Sequence, residues 1–597
     1  MPYPINATRR FPSSKIAIAL LATIFLAFNV QWIWHYRSSQ ILDIDEAGYL
    51  GLAISNYRAL MSGGLLSWIQ QVEAPSIQAP ITTALASLLF ALTGPSVIAG
   101  MAIPLLAGTT TIVATYFLAR CLIPTSGALL TAALVASCPI IATYSRSFHF
   151  AMPATAIITL ALACMLRSRQ FSSLYWASLF GIFLGLLPLA RTMAIGFLPG
   201  LIIGAGVQVA AKRSEIHRRL LIFALSLLIG TTTAATWLLF NGSIVFGYLF
   251  NFGYGNRAAE FGTKQSMTNV ASWLTTAQTF LDYIYLPHAL VLISGLLASA
   301  FIAFKSLRRQ GPTKSANQLI RSPIFSLILI LAAGIVALTS SQNKGSAFIA
   351  PLIPLAFVIA AYLIHKSSQN RMLQGGAIAA GSTICILATV PLLSTSSALA
   401  YPREIHLPIL GWWAKVTDGR GTIQLYEKGM IDAGKDDQTP VAFSPSEPLS
   451  RSHEKAYGSL IDSVSRELQS DPLGKLGVVF GFRHYLLNIN SVRLSAMLSG
   501  SDIQPLAQVE PVVTGDTVAG YYNWLIHGEA SNACLLLTLS GNGGQFSPIV
   551  TKPFLLQAAQ KAGFIYYREW LTPSGQKLGL WKRTQGARAC NKPMGRI

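Results

Sequence analysis

Eleven apolar stretches follow one another through the first 397 residues, near 16–34, 96–119, 125–144, 152–166, 171–190, 194–211, 220–240, 286–304, 323–340, 347–364 and 373–397. Each approaches the roughly 20 residues that an α-helix needs to cross the hydrocarbon core of a bilayer. In that medium only a helix or a closed barrel satisfies its own backbone. The repetition predicts a polytopic α-helical membrane protein with about eleven transmembrane helices. Composition agrees, with 52% hydrophobic and 11% charged residues, less than half of the about 25% charge typical of soluble domains. The same balance excludes disordered, collagen-like, coiled-coil and disulfide-scaffold chains.

A further apolar stretch, 81–93, begins after Pro80 and holds only 13 residues. That length fits a re-entrant or interfacial helix better than a crossing. The charges support the choice. With eleven spans and a cytoplasmic N-terminus, 17 of the 24 Lys and Arg residues before position 398 fall in inner loops, among them Arg9, Arg10, Lys212, Arg213 and Lys314. Counting 81–93 as a span would flip every later loop and reverse the bias, against the positive-inside rule. The first span, after Arg9, Arg10 and Lys15, shows no small-residue cleavage site and is expected to stay in place. The expectation is a multi-pass protein of the cytoplasmic (inner) membrane with its C-terminal domain extracytoplasmic. The net charge of +21 lies between spans, as orientation requires, so nucleic acid is not an expected partner. The bilayer is.

Composition shifts after Ser397, dividing the chain into a membrane domain, 1–397, and a soluble mixed α/β domain, 398–597. Runs such as Leu476–Phe480, Cys534–Leu539 and Gly563–Tyr567 read as strands, and Pro553–Gly563 as a helix with a glycine stop. Of six cysteines, Cys121, Cys138, Cys164 and Cys385 sit in or beside spans as small apolar filler. Cys534 and Cys590 can pair in an oxidising compartment; the sequence leaves the pairing open.

The first outer loop, 35–95, opens with Asp43-Ile44-Asp45-Glu46-Ala47-Gly48-Tyr49. Acids at such a place suit either a helix N-terminus or a general base at the membrane surface. Further along come Asn56-Tyr57-Arg58, Gly63-Gly64 before Trp68, Gln78-Ala79-Pro80, Ser145-Arg146, Gly185 through Ala190-Arg191, and Lys344 followed by Ala347-Phe348 and Pro351. This ordered set, over about 40–360, resembles the GT-C superfamily of polyprenyl-phosphate-dependent glycosyltransferases. It is most similar to the protein O-mannosyltransferase and aminoarabinose-transferase branch. The resemblance implies a GT-C-like membrane domain and a sugar donor linked to polyprenyl phosphate. It also implies a glycan, lipid or protein acceptor, and an acid in the first outer loop acting as base. Asp45 holds that position, with Glu46 beside it.

An acceptor hydroxyl attacking an anomeric carbon needs one carboxylate for an inverting transfer, and the leaving phosphate needs fixed positive charge. Arg146, Arg191 and Lys344 lie at or near membrane depth and are candidates for that charge. Asp43, Tyr49, Arg58, Gln78 and His149 are candidates for substrate contact. Arg58 reads otherwise as a solvated loop residue, Arg146 as an interfacial anchor and His149 as a structural imidazole. A second long outer loop, 241–285, carries Tyr248, Asn251, Tyr254, Asn256, Arg257, Trp273 and Tyr283, which suit sugar faces or the aromatic belt.

The chain departs from the family in three places, one of them Arg191, where the family often carries Lys, which keeps the charge and alters the phosphate geometry. The stretch Phe148–Pro153 holds no second acid, so a divalent metal cofactor is unsupported and metal ligands are unassigned. Gln78 and Ala79 stand where the aminoarabinose branch carries an acidic-basic pair, so that sugar is unsupported. A lipid or glycolipid transporter is the alternative. It favours polar, interrupted helices near the midplane and related halves, whereas polar residues here gather at one surface.

Overall fold

The computed structural model describes residues 12–37, 42–211, 215–255, 258, 267–310, 319–367, 371–393, 403–408, 411–417, 451–484, 486–541, 550–573, 575–584 and 590. Arg9, Arg10, Lys212, Arg213, Asn256, Arg257, Glu260, Lys264 and Lys314 lie outside the described residues.

The membrane domain is helical throughout: α1 (Pro12–Arg37), α2 (Ile44–Glu73), α3 (Pro80–Thr93), α4 (Val97–Ala119), α5 (Thr125–Ala136), α6 (Pro139–Ser145), α7 (Ala151–Arg167), α8 (Leu174–Ala190), α9 (Leu198–Ala210), α10 (Ile216–Gly253), α11 (Val270–Gln310), α12 (Pro323–Ser340), α13 (Ile353–Ser367) and α14 (Arg371–Leu393). Among the described residues, eight helical segments are long and apolar enough to cross a bilayer. The pair α5 and α6, bent by 60°, forms a ninth. Two further apolar helices of 17 residues, α7 and α8, bring the set to the eleven expected stretches. Helix α3 has 14 residues and rises about 21 Å, short of the roughly 30 Å hydrocarbon core.

Local chemistry sets the breaks. Pro139 starts α6 with no amide proton, and Cys138 before it is extended, as a residue preceding proline prefers. Helix α2 kinks at Gly64, whose φ of 69° suits glycine. In α11, Tyr285 interrupts the helix two residues before Pro287, with a φ of 64°. The expected loop 241–285 is therefore mostly helix. Hydropathy marks where the membrane ends, but α10 continues to Gly253 and α11 begins at Val270. Helices α8 and α10 cross at very short range. A Cβ at Gly181 would meet the Ser226 carbonyl oxygen at 2.2 Å, and one at Gly185 the Gly230 carbonyl oxygen at 2.2 Å. Small residues four apart let two backbones approach in this way.

A hairpin of β1 (Arg403–Leu407) and β2 (Trp412–Thr417) follows α14. The remaining domain is built on a five-stranded sheet of order β4-β3-β5-β7-β6, from β3 (Val478–Phe480), β4 (Pro505–Gln508), β5 (Leu535–Leu539), β6 (Phe564–Leu571) and β7 (Lys577–Arg583). Strand β3 runs parallel to β4 and β5, and β7 antiparallel to β5 and β6. Side-chain alternation splits the sheet between two layers. Val478, Phe480, Leu535 and Leu537 pack with α15 (Arg451–Ser470), and Val479 and Leu536 with α17 (Val518–Ile526) and α18 (Lys552–Lys561). This is the expected α/β domain, and Cys534 is bonded to Cys590 within it.

The two domains are packed together. Helix α16 (Ile489–Leu498) lies on α2, and Leu494 and Met497 belong to the same buried cluster as Leu50 and Ile54. Asn490 Nδ2 donates to the Ile44 carbonyl at 2.8 Å. Arg58 donates to the Met497 and Ser501 carbonyls at 2.8 and 2.9 Å.

Candidate active site

Asp43 caps α2, its carboxylate accepting from the Asp45 and Glu46 amides, each at 2.9 Å. A short acidic side chain is well suited to this place, since the first helical amides have no partner within the helix. The turn that follows points its three acids to different tasks. Asp43 is committed to the cap. Glu46 is fully buried, paired with Arg37 at 2.8 Å and accepting from the Phe148 amide at 3.0 Å. Asp45 alone of the three is exposed. Burial and the neighbouring Glu46 raise its pKa above the ordinary carboxylate value, and Arg191 opposes them.

A buried polar chain ties this turn to α1 and to the connection between α6 and α7. Arg37 donates to the Arg146 carbonyl at 3.3 and 3.2 Å. Arg146 Nε donates to Asn29 Oδ1 at 2.5 Å, and its guanidinium lies 4.4 Å from the centre of the Trp32 ring. Arg146 is 1% exposed, enclosed by α1 and removed from any open surface.

Arg191 is placed by the end of α8, where the backbone turns extended after Pro188. It donates to the Ala347 carbonyl at 2.9 Å and lies 4.5 Å from the Phe348 ring centre. Its charge acts on Asp45, Tyr49 and His149, and Tyr144 and Tyr248 lie in its field. The Tyr49 ring packs tilted on Phe150 at 4.1 Å and edge-on to His149 at 5.6 Å between ring centres. His149 accepts from the Ala151 amide through Nδ1 at 3.2 Å, which leaves the proton on Nε2. Burial, then the Arg191 charge, holds its pKa well below the ordinary value, so the ring is neutral.

From Arg191 an apolar cavity of about 270 Å³ runs between the turn Thr192–Phe197, α10 and α12, lined by residues including Phe197, Phe246, Phe250, Tyr254 and Pro351. Lys344 stands on the other side of Phe348, in a small separate hollow with Thr276 and Thr279. Its ammonium donates to the Thr339 and Ser341 carbonyls and to Ser272 Oγ at 2.9, 3.2 and 3.3 Å, which engages all three protons. Gln78 borders a cavity of about 100 Å³ with Asn56, Gln71 and Ser76. Arg58 faces the C-terminal domain.

Asp45, Tyr49, His149 and Arg191 are thus brought into one cluster. Glu46 and Arg146 belong to the buried chain behind it, and Arg58, Gln78 and Lys344 stand apart. Sequence reasoning missed Arg37, Asn29 and Tyr144 and left Tyr248 between sugar contact and the aromatic belt. A buried arginine that needs a carboxylate could have been sought among the seven acids before residue 398; nothing local marks Tyr144. Among the described residues no three His, Cys, Asp or Glu side chains are grouped to hold a metal ion. With Asp43 and Glu46 already engaged, the acidic turn presents one open carboxylate, which does not fit a metal centre.

Residues 77–240 match the model of the dolichyl-phosphate-mannose-protein mannosyltransferase family. No curated relative matches the sequence. The fold is similar to that of ArnT from Cupriavidus metallidurans in the apo state, at 12% identity and a TM-score of 0.54, covering 95% of this chain and 98% of that one. Against the same protein bound to undecaprenyl phosphate, the identity is 12% and the TM-score 0.50, over 94% of this chain and 97% of that one. The arabinofuranosyltransferase AftD from Mycobacteria gives 11% identity and a TM-score of 0.53, over 96% of this chain but 40% of the longer AftD chain. The chain has the fold of the GT-C glycosyltransferases, carrying within it a segment, 77–240, that matches the dolichyl-phosphate-mannose-protein mannosyltransferase family.

Proposed function

We propose that the protein transfers a sugar from a polyprenyl-phosphate donor to an acceptor hydroxyl of a glycan, lipid or protein, at the extracytoplasmic face of the inner membrane and with inversion. The observation that carries this reading is the position of Arg191. Its charge acts on the open carboxylate of Asp45, and the same side chain lines the apolar cavity. That cavity suits a polyprenyl chain, and the similar fold of ArnT has been solved with undecaprenyl phosphate.

The acceptor oxygen attacks the anomeric carbon as the bond from that carbon to the phosphate oxygen breaks. The hydroxyl proton passes to Asp45, and the bonding electron pair leaves with the polyprenyl phosphate. Arg191 holds the phosphate through its guanidinium edge, where charge develops. Lys344, beyond the Phe348 ring, adds a second positive charge by its field. Glu46 and Arg146 are positioning residues: they hold the Asp45 turn against α1 and the connection that carries His149. Tyr49, a protonated phenol because burial and Asp45 raise its pKa, is a hydrogen-bond donor to substrate.

The test incubates purified protein with a panel of radiolabelled polyprenyl-phosphate sugars and membrane acceptors. Transfer of label that Asp45→Asn abolishes is the expected result. Movement of the labelled lipid between leaflets that persists in Asp45→Asn, without transfer, would establish the transporter instead. Cysteine labelling of single-cysteine variants at Asn490 and Lys366 reads the orientation, with Asn490 expected to react from outside.

A further inference from the structure

A second cavity, of about 380 Å³, lies between α6, the kinked part of α11 and the β1–β2 hairpin. It falls in the roughly 300–1,000 Å³ range of small-ligand sites. Its composition differs from that of the lipid-like cavity. Asp282 from α11, Glu404 from β1 and Lys415 from β2 line it together, and the charges of Lys415 and Glu404 both act on Asp282. Trp412, Trp413 and Tyr283 supply aromatic faces.

The fold has gone out of its way to form this space. Tyr285 adopts a φ of 64°, sparsely populated for any residue but glycine, and such conformations concentrate at functional sites. Tyr285 itself lines the cavity together with the hairpin, and Lys415 lies over its ring at 5.8 Å. Only one helix separates the cavity from the Asp45 cluster. Thr143 of α6 borders the cavity, and the next residue, Tyr144, packs on His149 at 5.4 Å.

We propose that this cavity is a carbohydrate-binding site, distinct from the Asp45–Arg191 cluster, that holds one sugar residue of a glycan on the same side of the helical bundle. Sugars present an apolar C–H face and a rim of hydroxyls that both donate and accept. Indole and phenol rings match the face, while carboxylates, an ammonium and the Gln278 amide match the rim. Two acids against one lysine select neutral or amino-bearing sugars over acidic ones. The ligand class follows from this lining and not from the transferase reading, so binding is expected whether or not the protein turns over.

The test uses full-length protein in a detergent without a sugar headgroup, fluorescently labelled and applied to an array of neutral, amino-bearing and acidic oligosaccharides. The strongest binder is then titrated in solution. Binding to neutral or amino sugars is expected. Trp412→Ala and Asp282→Asn should each weaken it at least tenfold, while Arg191→Ala and Asp45→Asn leave it unchanged. Thr143→Trp fills the cavity from α6 and must give the same loss, which covers the case in which the hairpin variant misfolds. Three results would overturn the proposal. One is no sugar bound by the wild type. Another is binding lost in Arg191→Ala yet kept in Asp282→Asn. The third is a co-purifying zwitterionic phospholipid, seen by native mass spectrometry, that Asp282→Asn releases while no sugar binds. Sugar binding without transfer would count against the transferase reading alone.

Discussion

Neighbouring carboxylates in one turn are asked to do opposite things. Glu46 neutralises Arg37 in a fully buried pair, and removing one partner of such a pair leaves an uncompensated charge at a cost of about 3–5 kcal/mol. Glu46→Ala should therefore lower thermal stability strongly. Glu46→Gln, which can still accept from Arg37 and from the Phe148 amide, should lower it less. Asp45 holds no such partner, so Asp45→Asn should leave the melting temperature in place while lowering the transfer rate by about 10²–10⁴-fold, the usual worth of a general base. Acidity offers a separate test. A base works as its carboxylate, and burial and Glu46 raise the Asp45 pKa, so the rate should fall on acidification starting above the pH at which an ordinary aspartate titrates. Arg191 opposes that rise. Arg191→Gln removes the opposing charge and should move the acid limb to higher pH, whereas Arg191→Lys should leave the limb close to wild type. Rates measured from pH 4 to 9 at saturating donor decide this. An unmoved limb in Arg191→Gln would detach Arg191 from Asp45.

At the scale of elements, the glycines of α8 bring its far end, and hence Arg191, to the site. A Cβ at Gly185 would meet the α10 backbone at Gly230 and the Thr233 side chain, and backbone cannot yield as a side chain does. Gly185→Ala should destabilise by about 1–3 kcal/mol through overpacking and lower activity with it. Gly242→Ala, in α10 with nothing near, should be neutral or raise stability by up to about 1 kcal/mol, as Ala improves on Gly within a helix. Thermal melts of the two variants in one detergent make the comparison. These elements were largely legible in the sequence. Apolar length located each crossing, Pro80 and Gly94 bounded the short α3, and the expected boundary between 285 and 286 falls at the observed break in α11. Hydropathy follows the bilayer and not the helix, so it missed the continuation of α10 and α11 beyond their apolar runs. The Glu46–Phe148 and Arg37–Arg146 contacts were illegible for a different reason: they join segments about 100 residues apart, and no local pattern in either segment records the partner.

Across the whole molecule, the C-terminal domain is seated on the turn that carries Asp45. Asn490 donates to the carbonyl of Ile44, the residue between Asp43 and Asp45, and sits over Gly48, where an added Cβ would come within 2.7 Å of it. Arg58, about three turns beyond Gly48 along α2, is anchored on the carbonyls of Met497 and Ser501 at and just past the end of α16. Sequence reading took Arg58 for a substrate contact or a solvated loop residue, because its acceptors lie some 440 positions away. This arrangement makes domain contact a condition of site geometry and not only a cover over it. A single hydrogen bond is worth about 1 kcal/mol net, so Asn490→Ala should loosen the Asp45 turn without unfolding either domain, and lower the rate by about fivefold. Arg58→Ala removes two charge-assisted bonds of about 1.5–3 kcal/mol each at most, discounted because the side chain is a third exposed, and should have the larger effect. In the double variant, amide exchange across 44–58 should rise while exchange in α8 and α10 stays at the wild-type level, and the loss should appear in kcat more than in the KM for donor, whose cavity lies elsewhere. Exchange unchanged at 44–58, or a loss confined to donor KM, would mean that the two domains touch there without coupling.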